Sequence, residues 1–98
     1  MIEKKYMNTN DVCKVTFTLP EDIHAHIIAL CGEFNEWNPS SHPMKKIRGS
    51  GYIVTLILKV GRSYQFKYVM DGSRWENDPQ ADRYVPDGMG SDNSVIDL

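Results

Sequence analysis

The chain has 98 residues, with 11 basic against 13 acidic side chains and a net charge of −2. That length allows one domain burying about 65% of its unfolded surface, enough for a core without metals or disulfides. The charge balance excludes the basic surface that displaces counterions from nucleic acid, and no run approaches the ~18 apolar residues of a membrane helix.

The N-terminus, MIEKKYMNTN, has lysines but no apolar run behind them. Residues 1–10 are expected as a flexible tail without a secretory signal, and residues 11–98 as a single domain in the cytoplasm. Cys13, Val15, Phe17 and Leu19 then alternate with Lys14, Thr16 and Thr18, the period of a half-buried strand, which Pro20 ends. Glu21-Asp22 turns the chain into Ala25–Cys31, AHIIALC, whose length and branching favour a buried strand. His24 and His26 would share one face at its edge. Cys13 and Cys31 both lie in apolar runs and are expected as reduced residues in or near the core.

Glu33–Pro43 is rich in Asn, Ser and Pro and is expected as loop, with Trp37 a large apolar side chain in polar company. Met44–Arg48 predicts a short strand, joined by Gly49-Ser50-Gly51 to Tyr52–Val60, the strongest strand pattern in the chain. Lys45, Lys46 and Arg48 are expected as a solvated strand face. Gly61-Arg62 turns the chain back into Tyr64–Met70, so these two strands are expected to pair as an antiparallel hairpin. Asp71-Gly72 supplies turn chemistry, and Trp75 follows in sequence too polar for a core strand. The stretch from Asn77 to Gly88 is expected as irregular surface structure, and Asn93–Asp97 as a closing strand.

About seven short strands without an amphipathic helix predict an all-β, immunoglobulin-like antiparallel β-sandwich, with an OB-like barrel as the alternative. Catalysis would need two carboxylates facing each other across a sugar. Glu33, Glu36, Asp71, Glu76 and Asp78 flank the tryptophans, but small sandwiches rarely build a deep, dry cleft. Neither cysteine sits in a nucleophile motif. His24 and His26 lack the further ligands of a zinc site, and Asp71–Asp78 lacks the alternating oxygens of a calcium loop. No enzyme activity, cofactor or metal is expected. The aromatics carry more. An indole offers an apolar area matching the CH face of a pyranose ring, with a polar N–H at its edge. Lys67 has three donors to reach hydroxyls, and Asn93 both donates and accepts. Such a set suits a neutral polyol better than an anion.

Three motifs then fall in order across most of the chain. They are Gly32-x-Phe34-Asn35-x-Trp37, Phe66-Lys67-Tyr68-Val69-Met70-Asp71-Gly72, and Trp75-x-x-Asp78-Pro79. Together they resemble the glycogen-binding domain of AMP-activated protein kinase β subunits and, more widely, family 48 carbohydrate-binding modules, the early-set domains at the front of isoamylases and branching enzymes. The resemblance implies an immunoglobulin-like sandwich that binds α-1,4-linked glucans such as glycogen, starch and maltooligosaccharides without cleaving them. It implies that Trp37 and Trp75 stack on sugar and that Lys67 bonds to hydroxyls. Met89 would push into the curve of the glucan, with Ser91 and Asn93 adding a hydroxyl and an amide. Two departures stand out: one extra residue between Asp71-Gly72 and Trp75, and Met89 in place of the usual leucine. A free-standing module of this kind would bind glucan, act in trans with a glucan-metabolising enzyme or kinase-type partner, or serve as a protein-interaction or regulatory sandwich with weak or no sugar binding.

Overall fold

The computed structural model describes residues 1–8 and 11–98. Among these residues nine strands form two antiparallel sheets packed face to face: β1 (Ile2–Tyr6), β2 (Val12–Leu19), β3 (Ile28–Gly32), β4 (Lys45–Ile47), β5 (Gly51–Lys59), β6 (Ser63–Met70), β7 (Arg74–Glu76), β8 (Arg83–Pro86) and β9 (Asp92–Asp97). The first sheet has the order β1-β2-β5-β4. The second has the order β3-β6-β9-β8, with β7 paired to the end of β6. This is the antiparallel sandwich that the strand pattern predicts.

The period-two alternation sets what is buried. Cys13, Val15, Phe17 and Leu19 of β2, with Tyr52, Leu56 and Leu58 of β5, face Phe66, Tyr68 and Met70 of β6 and Ile28 and Leu30 of β3. Phe17 meets Phe66 edge-on, with ring centroids 5.2 Å apart, which ties the two sheets at their centre. Each such side chain, fully buried, contributes about 1.5–3 kcal/mol. Gly51 opens β5 where a Cβ would lie 2.1 Å from the Leu19 carbonyl oxygen, so no larger residue fits the close approach of β5 to the end of β2.

Several local expectations are corrected. Residues 2–6, expected within a flexible tail, pair along β2 as an edge strand, from Ile2 opposite Phe17 to Tyr6 opposite Cys13. Thr9 and Asn10, also in the expected tail, lie outside the described residues. The apolar run Ala25–Cys31 becomes strand only from Ile28, and Ile27 is exposed, so His24 and His26 share no strand face. Glu33–Asn35 is a short 3-10 turn within the expected loop. Arg83–Pro86, expected as irregular, is strand β8, an edge position where Pro86 is tolerated.

The largest correction concerns β5 and β6, which do not pair. They belong to opposite sheets, and the Val60–Arg62 connection arches across the core. Val60 N–H donates to the Asp11 carbonyl beside β2. Gly61 N–H donates to the Leu98 carbonyl, and Leu98 N–H to the Arg62 carbonyl, beside β9. Each end of the arch is thus held by its own sheet, and the apolar faces of β5 and β6 meet across the core instead of lying side by side.

Candidate functional site

The outer face of the second sheet is where most of the motif residues come together, and each arrives there for a local reason. Gly32 closes β3 with extended backbone, so its requirement is space: a Cβ would lie 2.6 Å from the Gln65 carbonyl oxygen and 2.8 Å from Phe34. Phe34 turns inward, its ring 6.2 Å from Phe17 and 6.1 Å from Tyr64. Asn35 staples the turn. Its Oδ1 accepts from Gly32 N–H at 3.0 Å, and its Nδ2 donates to the Leu30 carbonyl at 2.9 Å and to His42 Nδ1 at 2.8 Å. Glu36 and Trp37 both then take left-handed backbone, φ 56° and 59°, and Trp37 N–H returns to the Gly32 carbonyl. The chain reversal lays the indole against Ala29, Cys31 and Val69, a small apolar cluster outside the main core. The motif Gly-x-Phe-Asn-x-Trp is therefore a scaffold whose product is the placement of Trp37.

Trp75 reaches the same face by a hairpin. Asp71 and Gly72 have φ 53° and 74°, and Ser73 N–H donates to the Met70 carbonyl. The Asp71 carboxylate pins this turn to the chain before β3, accepting from His26 N–H at 2.8 Å and Ile27 N–H at 2.9 Å. Those donors, Ile27 foremost, hold the Asp71 carboxyl below its ordinary range. The turn takes in the extra residue, and Trp75 falls directly opposite Val69. Paired residues of an antiparallel ladder point the same way, so Trp75 projects from the outer face, where it is 45% exposed.

The polar members are held just as tightly. Lys67 Nζ pairs with Asp87 Oδ2 at 3.2 Å. The other Asp87 oxygen accepts from Met89 N–H at 2.7 Å and Ser91 N–H at 3.2 Å, while Asp87 N–H donates to the Ser91 carbonyl. The Met89 N–H in particular, then Ser91 and Lys67, hold the Asp87 carboxyl below the ordinary carboxylate range. Met89 stands at the tip of this turn, 88% exposed. Asn93 Nδ2 donates to Gln65 Oε1 at 2.9 Å, and Gln65 N–H donates to Glu33 Oε1 at 2.7 Å.

These groups line one open depression of about 570 Å³: Trp37, Lys67, Trp75, Met89 and Asn93, with Glu33, Gln65 and Asp87. Of the residues singled out in the sequence, Ser91 alone is not part of the lining; its backbone, bonded to Asp87, shapes the turn instead. Lys67 is not the free amine its sequence context suggests but the partner of Asp87. Sequence reasoning passed over Asp87 and Gln65 and took Glu33 only as one of the acids flanking the tryptophans; the alternation that places Gln65 beside Lys67 on the outward face of β6 could have pointed to Gln65. Neither indole joins an aromatic pair among the described residues, whereas Phe17, Phe34, Phe66, Tyr64 and Tyr68 meet one another in tilted and edge-on pairs inside. A larger cleft of about 800 Å³ opens at the end of the sandwich, lined mainly by apolar groups such as Leu19, Ile23, Met70 and Pro79. That cleft also carries polar side chains, among them Asp22, His24, Arg74 and Glu76, but Trp37, Lys67, Trp75, Met89 and Asn93 converge in the depression, and we centre the site there.

The other chemical candidates take structural places. Asp78 is fully buried and accepts from Tyr68 OH at 2.6 Å and Gln80 N–H at 2.7 Å, so it cannot oppose a second carboxylate across a sugar. Burial, then the Asp78 charge, pushes the Tyr68 phenol upward. Cys13 and Cys31 are free and buried in opposite sheets, and burial raises the Cys31 thiol. Among the described residues no three His, Cys, Asp or Glu side chains gather as metal ligands, and no helix is long and apolar enough to cross a membrane.

A two-sheet antiparallel sandwich with an open outer face of indoles, amides and one paired amine defines a binding module. The model of carbohydrate-binding module 48 (isoamylase N-terminal domain) matches residues 22–89, and the chain belongs to that family of non-catalytic carbohydrate-binding modules. Membership carries glucan binding in general. No curated protein matches the chain.

Proposed function

We propose that the depression on the second sheet binds α-1,4-linked glucan, as glycogen, starch or maltooligosaccharide, without cleaving it. The observation that carries this reading is the convergence of Trp37 and Trp75 with Lys67, Met89 and Asn93 in one open, shallow site. The indoles give apolar platforms for successive pyranose rings. Lys67 keeps donors beyond the one spent on Asp87, and Asn93 keeps its carbonyl oxygen, so both address hydroxyls at the sugar rim. Met89 offers an apolar tip to the inside of the glucan's curve. Ser91 contributes through the turn that its backbone forms with Asp87. Openness suits a polymer that enters from the side.

Titration of the intrinsic tryptophan fluorescence with maltoheptaose or β-cyclodextrin tests the reading, alongside retention on a glycogen affinity gel. A saturable change and retardation are expected. An unchanged spectrum with unretarded migration would overturn it. In that event, capture of a defined protein that maltoheptaose does not displace would assign the face to a protein-interaction or regulatory role. A glucan-metabolising enzyme or kinase-type protein, brought to the same polymer, is the partner proposed here.

A further inference from the structure

The Asp87 carboxylate spends both oxygens inside the depression. Oδ2 meets Lys67 Nζ at 3.2 Å, with side chains only 14% and 13% exposed, and Oδ1 takes the N–H groups of Met89 and Ser91. The ionisable groups lining the site are Glu33, Lys67 and Asp87, two negative and one positive, so its net charge is −1. Three donors on Asp87 keep it ionised, the Met89 N–H being the strongest influence.

We propose that Asp87 determines specificity: it neutralises Lys67 and fixes the Met89–Ser91 turn, so that the depression accepts neutral glucan and rejects phosphorylated glucan. The inference rests on the glucan-binding reading of the site and adds the ligand class it discriminates against. A sugar hydroxyl needs only one of the remaining ammonium hydrogens of Lys67. A phosphomonoester carries about −1.5 to −2 charge and is best held by an unopposed cation. Here it must displace Asp87 from Lys67 or lie against two carboxylates, and both routes cost binding. Without Asp87, the same lysine would be a phosphate ligand beside a stacking platform.

The test uses the full chain and two probes, maltoheptaose and the same oligosaccharide bearing one phosphomonoester, read by calorimetry. The wild type is expected to favour the neutral probe by at least about tenfold, the order of one opposed charge at hydrogen-bond range near a surface. Asp87→Asn keeps an acceptor for Met89 and Ser91 but removes the charge, and the preference is expected to shrink by about tenfold. Adding Lys67→Met, or raising salt to about 0.5 M, should cancel that gain. Asp87→Ala also frees the turn, so amide exchange at Met89 and Ser91 should rise in this variant and not in Asp87→Asn. An unchanged preference in Asp87→Asn overturns the selectivity, and unchanged exchange in Asp87→Ala overturns the fixing of the turn. Failure of the wild type to bind maltoheptaose at all would instead overturn the glucan-binding reading itself, and the selectivity with it.

Discussion

Trp75 lies directly across the ladder from Val69, and Trp37 packs against the small apolar cluster to which that same valine belongs. Val69 thus links the settings of the two indoles, as ladder partner of one and as part of the cluster that holds the other. The two are not equally free. Trp75 is 45% exposed on a short edge strand, whereas Trp37 is partly sunk into the Ala29, Cys31 and Val69 cluster. Trp75→Ala should therefore abolish glycogen retention while changing stability by less than about 1 kcal/mol. Trp37→Ala should abolish retention and also cost about 1–2 kcal/mol of lost burial. Affinity electrophoresis paired with urea unfolding separates the two; equal losses of stability would contradict the packing.

Tyr68→Phe tests the buried end of the same strand. The phenol donates to Asp78, which has no exposed surface, and Asp78 N–H donates to Ser94 Oγ, which donates to Asn77 Oδ1. Removing the hydroxyl leaves a buried carboxylate oxygen short of a partner, which costs about 1–3 kcal/mol. For a domain of this size that is a fall in melting temperature of roughly 4–24 °C. Thermal unfolding by circular dichroism measures it, and a fall under about 2 °C would show that water replaces the lost donor.

Gly32→Ala separates space from backbone freedom. The added methyl would meet the Gln65 carbonyl, Phe34 and Phe66 within 2.8 Å, although the φ of −173° suits any residue. The strand pair β3–β6 must then part, with a cost of about 1–3 kcal/mol and weakened glucan binding through Trp37. Gly72→Ala has open space but φ 74°, and should cost only about 1 kcal/mol. Denaturant midpoints for the two variants should rank in that order.

Acid sensitivity follows from Asp71. Its carboxyl titrates below its ordinary 3.8 because the Ile27 and His26 N–H groups bond the ionised form. A depressed folded value means that the unfolded chain binds more protons in that window, so stability is complete above the ordinary value and drains as pH falls through the folded one. Asp87 and Asp97 are lowered likewise, by Met89 N–H and by Arg83 foremost, and add to the same slope. Unfolding free energy measured from neutrality down to about pH 2 should be flat and then fall below about pH 4. Asp71→Asn should lower the plateau and flatten the fall; an unchanged slope would remove Asp71 from the account.

Much of the fold was legible where side chains alternate. β2, β5 and β6 carry one apolar face each, and burial alone makes them strands. β1, β7 and β8 lay hidden because IEKKY, RWE and RYVP are edge sequences whose pairing comes from backbone bonds, with little burial to mark it. The β5–β6 hairpin was misread because Gly61-Arg62 has turn chemistry, which sets that the chain reverses and not the sheet to which it returns. At the site, the tryptophans and Lys67 were visible as odd residues for their surroundings. Asp87 was not, because its meaning lies in a partner 20 residues away.

The paired left-handed residues Glu36 and Trp37 carry one more consequence. Each non-glycine residue held there costs on the order of 1–2 kcal/mol, and the Asn35 bonds and the Trp37-to-Gly32 bond offset it during folding. The backbone that carries the indole is therefore set before any ligand arrives, and ordering it adds little to the entropy lost on association. Glu36→Gly should trade these quantities against each other: a more stable domain by about 1 kcal/mol, with a looser platform and a faster off-rate for sugar.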